Sequence, residues 1–172
     1  MTAMPELPDI VVYCEALRER IRGEAIQDAQ VVSPFLLRTH DPPLDTIEGQ
    51  RVTDVRRIGK RIVLELDADL YVVLHLMIAG RLRWLMRGGR PPGRISLGWF
   101  EFPGGRLVIT EAAKQKRASL HVVRGASALA PFDRGGLDVL TADAPAFAQA
   151  LRAENHTLKR ALTDPRFFDG IG

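Results

Sequence analysis

Between Leu7 and Arg22 the apolar positions Leu7, Ile10, Val11, Cys14, Leu17 and Ile21 recur three and four residues apart, with Glu15, Arg18, Glu19 and Arg20 on the other side. That spacing predicts an amphipathic helix, and Gly23 is its natural stop. The period then shortens. Strand-like runs follow at Ile26 to Val32, Val52 to Arg57, Arg61 to Leu66, Leu70 to Met77, Arg81 to Leu85, Ile95 to Phe102, Arg106 to Thr110 and Ser119 to Val123. Turn chemistry separates them at Asp67-Ala68-Asp69, at the Gly- and Pro-rich 88–93, and at Pro103-Gly104-Gly105. Ile62, Leu64 and Leu66 alternate with Arg61, Val63 and Glu65, which predicts a strand with one well-buried face. Leu70 to Leu76 is almost continuously apolar and predicts a central strand. So many short strands predict a sandwich. Beyond an apolar-poor stretch at 126–138 the helical period returns. Asp143 is placed to cap a helix with Pro145 in its first turn and Phe147, Ala150 and Leu151 on one face, and a short helix from Leu158 to Leu162 follows the Asn155-His156-Thr157 turn.

At 172 residues and 46% hydrophobic content the chain can bury a core, one domain with part of a second. Its net charge is only +3, so any case for nucleic acid depends on where the cations cluster rather than on their total. The single cysteine, Cys14, excludes an intramolecular disulfide and a multi-cysteine zinc site, and its place on the apolar stripe suits a reduced, buried thiol. No apolar run approaches the ~18 residues of a membrane span, and the first residues lack the layout of a secretory signal; a soluble, cytoplasmic protein is expected. His40, His121 and His156 show no metal-ligand spacing, and His75, on a predicted central strand, reads as a hydrogen-bonded core residue, so no metal is expected. Trp84 and Trp99 read as core anchors.

Three segments carry candidate chemistry. In Met4-Pro5-Glu6-Leu7-Pro8-Asp9, removal of Met4 turns Pro5 into a secondary amine able to form an iminium with an aldehyde-like sugar carbon, and Glu6 beside it is placed to move protons. Inside the chain the same nitrogen is an unreactive amide, and the run equally suits the first turn of a helix. Arg56, Arg57, Lys60 and Arg61 precede or open a strand; this flank either lays Lys60 against a phosphate while its neighbours face solvent, or is a solvated edge. Lys114, Lys116 and Arg117 make a compact basic loop, a phosphate grip or a solvated hairpin.

The opening resembles formamidopyrimidine-DNA glycosylase and the related endonuclease VIII-like enzymes, whose mature chains begin Pro-Glu-Leu-Pro-Glu/Asp and run directly into a helix. Residues 55–66 are similar to that family's Arg-Arg-x-x-Lys-Tyr-Leu-Leu-Leu-Glu-Leu, whose lysine contacts DNA phosphate near the lesion and assists strand cleavage; the resemblance places that role on Lys60. Residues 74–83 resemble His-Leu-Gly-Met-Ser-Gly-x-Leu/Trp-Arg, and the methionine that helps fill the gap left by an everted base aligns with Ile78. Residues 110–118 depart from the usual Thr-Asp-x-Arg-Arg-Phe-Gly. Its arginines fall on Ala113 and Lys114 and its stacking phenylalanine on Gln115, so lesion preference does not carry over. Residues 155–172 resemble the first part of the family's helix-two-turns-helix, where a lysine matching Lys159 holds phosphate. The sequence stops one residue before the family's phosphate-binding asparagine, and the four-cysteine zinc finger is not in it.

The resemblance implies an α+β fold, a two-layer β-sandwich with flanking helices followed by a short helical segment. It divides the chain into a catalytic sandwich domain at 4–125 and, at 126–172, a linker with the start of a truncated DNA-binding domain. It implies a base-excision repair glycosylase with AP-lyase activity, acting through a Schiff base on Pro5 with Glu6 as proton carrier and Lys60 at the phosphate. Lys114, Lys116, Arg117 and Lys159 would bind DNA. Damaged DNA is the expected partner, no cofactor is expected in this chain, and a monomer is expected. Because Met1-Thr2-Ala3 stands ahead of Met4, Met4 is the expected working start. The alternative is a non-catalytic DNA-binding or lesion-sensing relative with the same fold; an unrelated β-sandwich interaction module would require the ordered matches to be chance.

Overall fold

A computed structural model describes residues 4–171; the Met1-Thr2-Ala3 leader and Gly172 lie outside the described residues. Helix α1 (Leu7–Ile21) forms where the apolar period predicts it and buries Leu7, Ile10, Cys14, Leu17 and Ile21. Its start is fixed by Glu6 at the cap position, whose backbone N–H donates to the Asp9 carboxylate at 2.8 Å.

Two antiparallel four-stranded sheets follow. The strands are β1 (Asp28–Val31), β2 (Val52–Ile58), β3 (Arg61–Leu66), β4 (Leu70–His75), β5 (Gly80–Met86), β6 (Ser96–Phe102), β7 (Gly105–Glu111) and β8 (Ser119–Arg124). One sheet has the order β1-β6-β7-β5 and the other β2-β3-β4-β8. The core lies between them, with Val55, Ile62, Leu64, Val72, Leu74 and Leu120 on one side and Leu82, Phe100, Phe102, Leu107 and Ile109 on the other, and the apolar stripe of α1 closes one end. Arg18 pins the helix to β2, bonding the Asp54 carboxylate at 3.1 Å and the Val55 carbonyl.

The chain continues through β9 (Leu137–Asp138), α2 (Ala144–Leu151), α3 (Leu158–Thr163) and β10 (Phe168–Asp169), with β9 and β10 paired in parallel. Asp143 and Thr157 cap the two helices, accepting from the N–H groups of Ala146 and Arg160. The α+β sandwich with flanking helices and a trailing helical segment is thus the observed fold.

Three expectations need correction. Val63, assigned to the polar side of β3, is fully buried, because the 126–132 segment folds back so that Leu129 and Phe132 cover Val63 and Val73. The sheet is therefore buried on both faces at this point. Trp99 is half-buried and is not among the residues packed against the core, with Arg106 lying over its ring, whereas Trp84, also half-buried and with Arg20 over its ring, does pack against the core as expected. His75 is only partly buried: it ends the central strand β4, opposite Arg61 and Ser119, and lines a cavity.

Candidate active site

The β2–β3 hairpin turns on two residues, Gly59 and Lys60. Gly59 has φ +57°, the left-handed geometry that so short a hairpin demands at its first central position. The turn carries Lys60 to the N-terminus of α1, where its ammonium donates to Glu6 Oε2 at 2.8 Å. Only 17% of the Lys60 side chain is exposed, against 39% for Glu6.

Pro5, buried against the sandwich, and Lys60 line one cavity of about 350 Å³. Its wall includes Arg61 and His75 from the sheet ends, Met77 and Ile78 from the β4–β5 turn, Arg134 from the segment before β9, and Asp169 of β10 with Gly170 just after it. The β4–β5 turn is locally strained, with Met77 at φ +54°. Its apex presents Ile78, 47% exposed, at the rim. An apolar side chain held out to solvent at a cavity mouth is the opposite of core packing.

The electrostatics are lopsided. Lys60, Arg61 and Arg134 line the cavity against a single lining carboxylate, Asp169. Burial raises the Asp169 carboxyl above its ordinary value, while the Gly59 N–H and the charge of Arg57 act the other way. Burial, helped by the charges of Arg61 and Lys60, pulls His75 down to about 4. At neutral pH its imidazole is uncharged and offers the cavity one donor and one acceptor.

The cations around Lys60 do not simply face solvent. Arg56 pairs with Glu65 at 2.6 Å, and Arg57 reaches Asp138 at 2.5 Å, tying the strand to β9. Arg61 donates to the Phe132 carbonyl at 3.2 Å. Sequence reasoning missed Arg61, His75, Arg134 and Asp169 as wall residues. The one local signal was a polar residue, His75, closing an otherwise apolar strand.

Lys114, Lys116, Arg117 and Lys159 lie outside the wall of this cavity. Lys116 is turned inward, donating to the carbonyls of Glu111 and, at 2.9 Å, Ala113, so it holds its own loop together instead of presenting a free charge. The same loop is anchored by the buried Glu111 carboxylate, which accepts the N–H groups of Arg117 and Ala118 at 2.8 and 3.1 Å. Lys114, Gln115, Arg117 and Lys159 are exposed.

Residues 4–128 match the family described as Formamidopyrimidine-DNA glycosylase N-terminal domain. The chain belongs to this family. Among curated relatives, formamidopyrimidine-DNA glycosylase from Salinispora arenicola is 31% identical over 178 residues, covering 98% of this chain and 61% of the relative. The protein of that name from Heliobacterium modesticaldum is 30% identical, with 98% and 64% covered. The chain thus spans a little under two thirds of the length of these relatives. Among solved structures, the Lactococcus lactis glycosylase bound non-covalently to DNA containing an AP site superposes with a TM-score of 0.84 at 21% identity, covering 98% of this chain and 65% of that one. The same enzyme with Fapy-dG-containing DNA gives 0.84 at 20% identity, with 97% and 64% covered. These likenesses share the fold described above. No described helix is long and apolar enough to cross a membrane.

Proposed function

We propose that this chain is the catalytic part of a DNA glycosylase that excises damaged bases and then cleaves the strand, with Pro5 as nucleophile once it is N-terminal. The observation that carries the reading is the convergence of Pro5 and Lys60 on one cavity while Lys60 holds Glu6 at 2.8 Å. Membership of the family and the DNA bound by the solved relatives support it.

In this reading the neutral Pro5 nitrogen attacks C1′ of an everted nucleotide, forming an N–C1′ bond as the bond to the base breaks and the base leaves with its electron pair and a proton. The C1′–O4′ bond then opens to an iminium. Glu6 takes up the proton that the Pro5 nitrogen sheds and passes it to O4′, while the departing base takes its own proton from water, and the contact with the Lys60 ammonium keeps the carboxylate in register. Loss of a C2′ proton next expels the 3′ phosphate, whose charge Lys60 is positioned to meet. The cavity is large enough for a sugar-phosphate unit, and Ile78 stands at its rim as the apolar wedge for the space that the everted nucleotide leaves.

The test is incubation of protein beginning at Pro5 with a duplex bearing one formamidopyrimidine or one abasic site. Base release and a nick at the lesion are expected. Binding without either product would replace this reading with that of a non-catalytic lesion-sensing relative.

A further inference from the structure

Arg61 and Arg134 stand on the same cavity wall with no shared carboxylate partner, although like charges in one partly closed site repel. Arg61 is fixed in place. Its guanidinium donates once, to the Phe132 carbonyl at 3.2 Å, and lies 5.9 Å from the centre of the Phe132 ring. Burial, and after it the charge of Arg134, disfavour its ionised form, while the charge of Asp169 acts the other way. Arg134 itself is exposed and has no hydrogen-bond or ion-pair partner among the described residues. It also borders an adjoining groove of about 340 Å³ lined by Arg160, Thr163 and Asp164. In that groove Arg166 is already paired with Asp164, at 2.7 Å, whereas Arg160 is exposed.

Two guanidiniums with most of their donors unspent, one rigid and one free, facing a common space, are the makings of a planar, multidentate oxyanion site. We propose that Arg61 and Arg134 together hold one backbone phosphodiester of the damaged strand, distinct from the phosphate met by Lys60, and that Arg134 steers that strand out along the adjoining groove towards Arg160. This deepens the glycosylase reading and rests on it. The cost of setting the two cations side by side is offset when the anion arrives. Arg134, held by nothing else, closes onto a strand whose nucleotide has already entered the cavity. The subsite is assembled from β3 and the segment just before β9, some seventy residues apart in sequence.

The experiment is a salt titration of binding to a duplex carrying a stable abasic-site analogue, comparing the unsubstituted chain with Arg134→Gln, Arg134→Lys and Arg61→Gln. Neutralising one phosphate contact makes the slope of log K against log salt shallower by about 0.9 on B-DNA. Arg134→Gln is expected to show that loss, with an unchanged thermal midpoint because the side chain supports nothing in the fold. Arg134→Lys is expected to restore the slope while binding more weakly, as a point charge replaces the fork. Arg61→Gln is expected to match Arg134→Gln. Arg134 is the deciding position, since its substitution leaves folding intact. An unsubstituted chain that binds, with Arg134→Gln of identical affinity and slope, overturns the subsite and leaves the glycosylase reading standing. An unsubstituted chain that does not bind the duplex overturns both.

Discussion

The backbone N–H of Gly59 is bonded by the carboxylate of Asp169, so the last described strand holds the turn that presents Lys60. The contact is close enough that a Cβ added at Gly59 would fall 2.4 Å from Asp169 Oδ1. The turn that carries Lys60 is thus braced by the segment that follows the sandwich. A second contact of the same kind lies beside it, where a Cβ at Gly170 would meet Leu7 of α1 at 2.8 Å.

Gly59→Ala is therefore expected to destabilise the protein. The left-handed φ of +57° alone costs a residue with a Cβ about 1–2 kcal/mol, and displacement of Asp169 adds to it. Asp169→Ala in the same chain removes the clash, so the two substitutions together should cost less than the sum of each alone. Urea unfolding of the two single variants and the double variant reads this coupling directly.

Glu6→Gln keeps the shape at the helix start and the contact with Lys60 but removes the carboxylate to which the proposed mechanism assigns the proton. Single-turnover base release is expected to fall by about 100-fold or more, with stability changed by less than about 1 kcal/mol. Equal losses of rate and stability would place Glu6 in the fold instead of the chemistry.

Stability should fall as the medium is acidified from about pH 6.5 to about pH 4. His75 is drawn down to about 4 in the folded chain from 6.5, so across that window the unfolded chain binds a proton that the folded chain refuses. The contribution is fully present above the unfolded value and is lost as pH drops through the folded one. His121, also lowered by burial, acts in the same direction. Urea midpoints measured between pH 7.5 and 4 should show a shallower pH dependence for His75→Asn than for the unsubstituted chain.

Ile78→Ser is expected to leave stability within about 0.5 kcal/mol, as for other exposed positions, while weakening binding to duplex with an abasic-site analogue more than binding to undamaged duplex. Equal weakening on both duplexes would mean that Ile78 does not enter the vacated space. The readout is fluorescence anisotropy on the two duplexes.

Most of the sandwich could be read locally because each strand's burial follows its own alternation and each turn its own Gly, Pro or Asp. Helix α1 was equally plain, since five buried residues lie on one stripe. The outer cover of Val63 was not, because Leu129 and Phe132 arrive from far along the chain and no residue near Val63 announces them. The same holds for the site. Pro5, Glu6 and Lys60 were found through motifs, and the 2.8 Å contact across 54 positions gives them a common place. Arg134 and Asp169 belong to segments with no pattern of their own, and only the pairing of β9 with β10 sets them at the cavity. Lys116 misled for the converse reason: a cation in a basic loop reads as free until its bonds to the carbonyls of Glu111 and Ala113 are seen.

The decisive measurement is borohydride reduction of the mixture formed by abasic-site duplex and protein beginning at Pro5, followed by peptide mapping of any covalent product. A DNA adduct on the Pro5 nitrogen, abolished by acetylating that nitrogen, is the predicted result. No adduct, or one carried by Lys60 instead, would contradict the account.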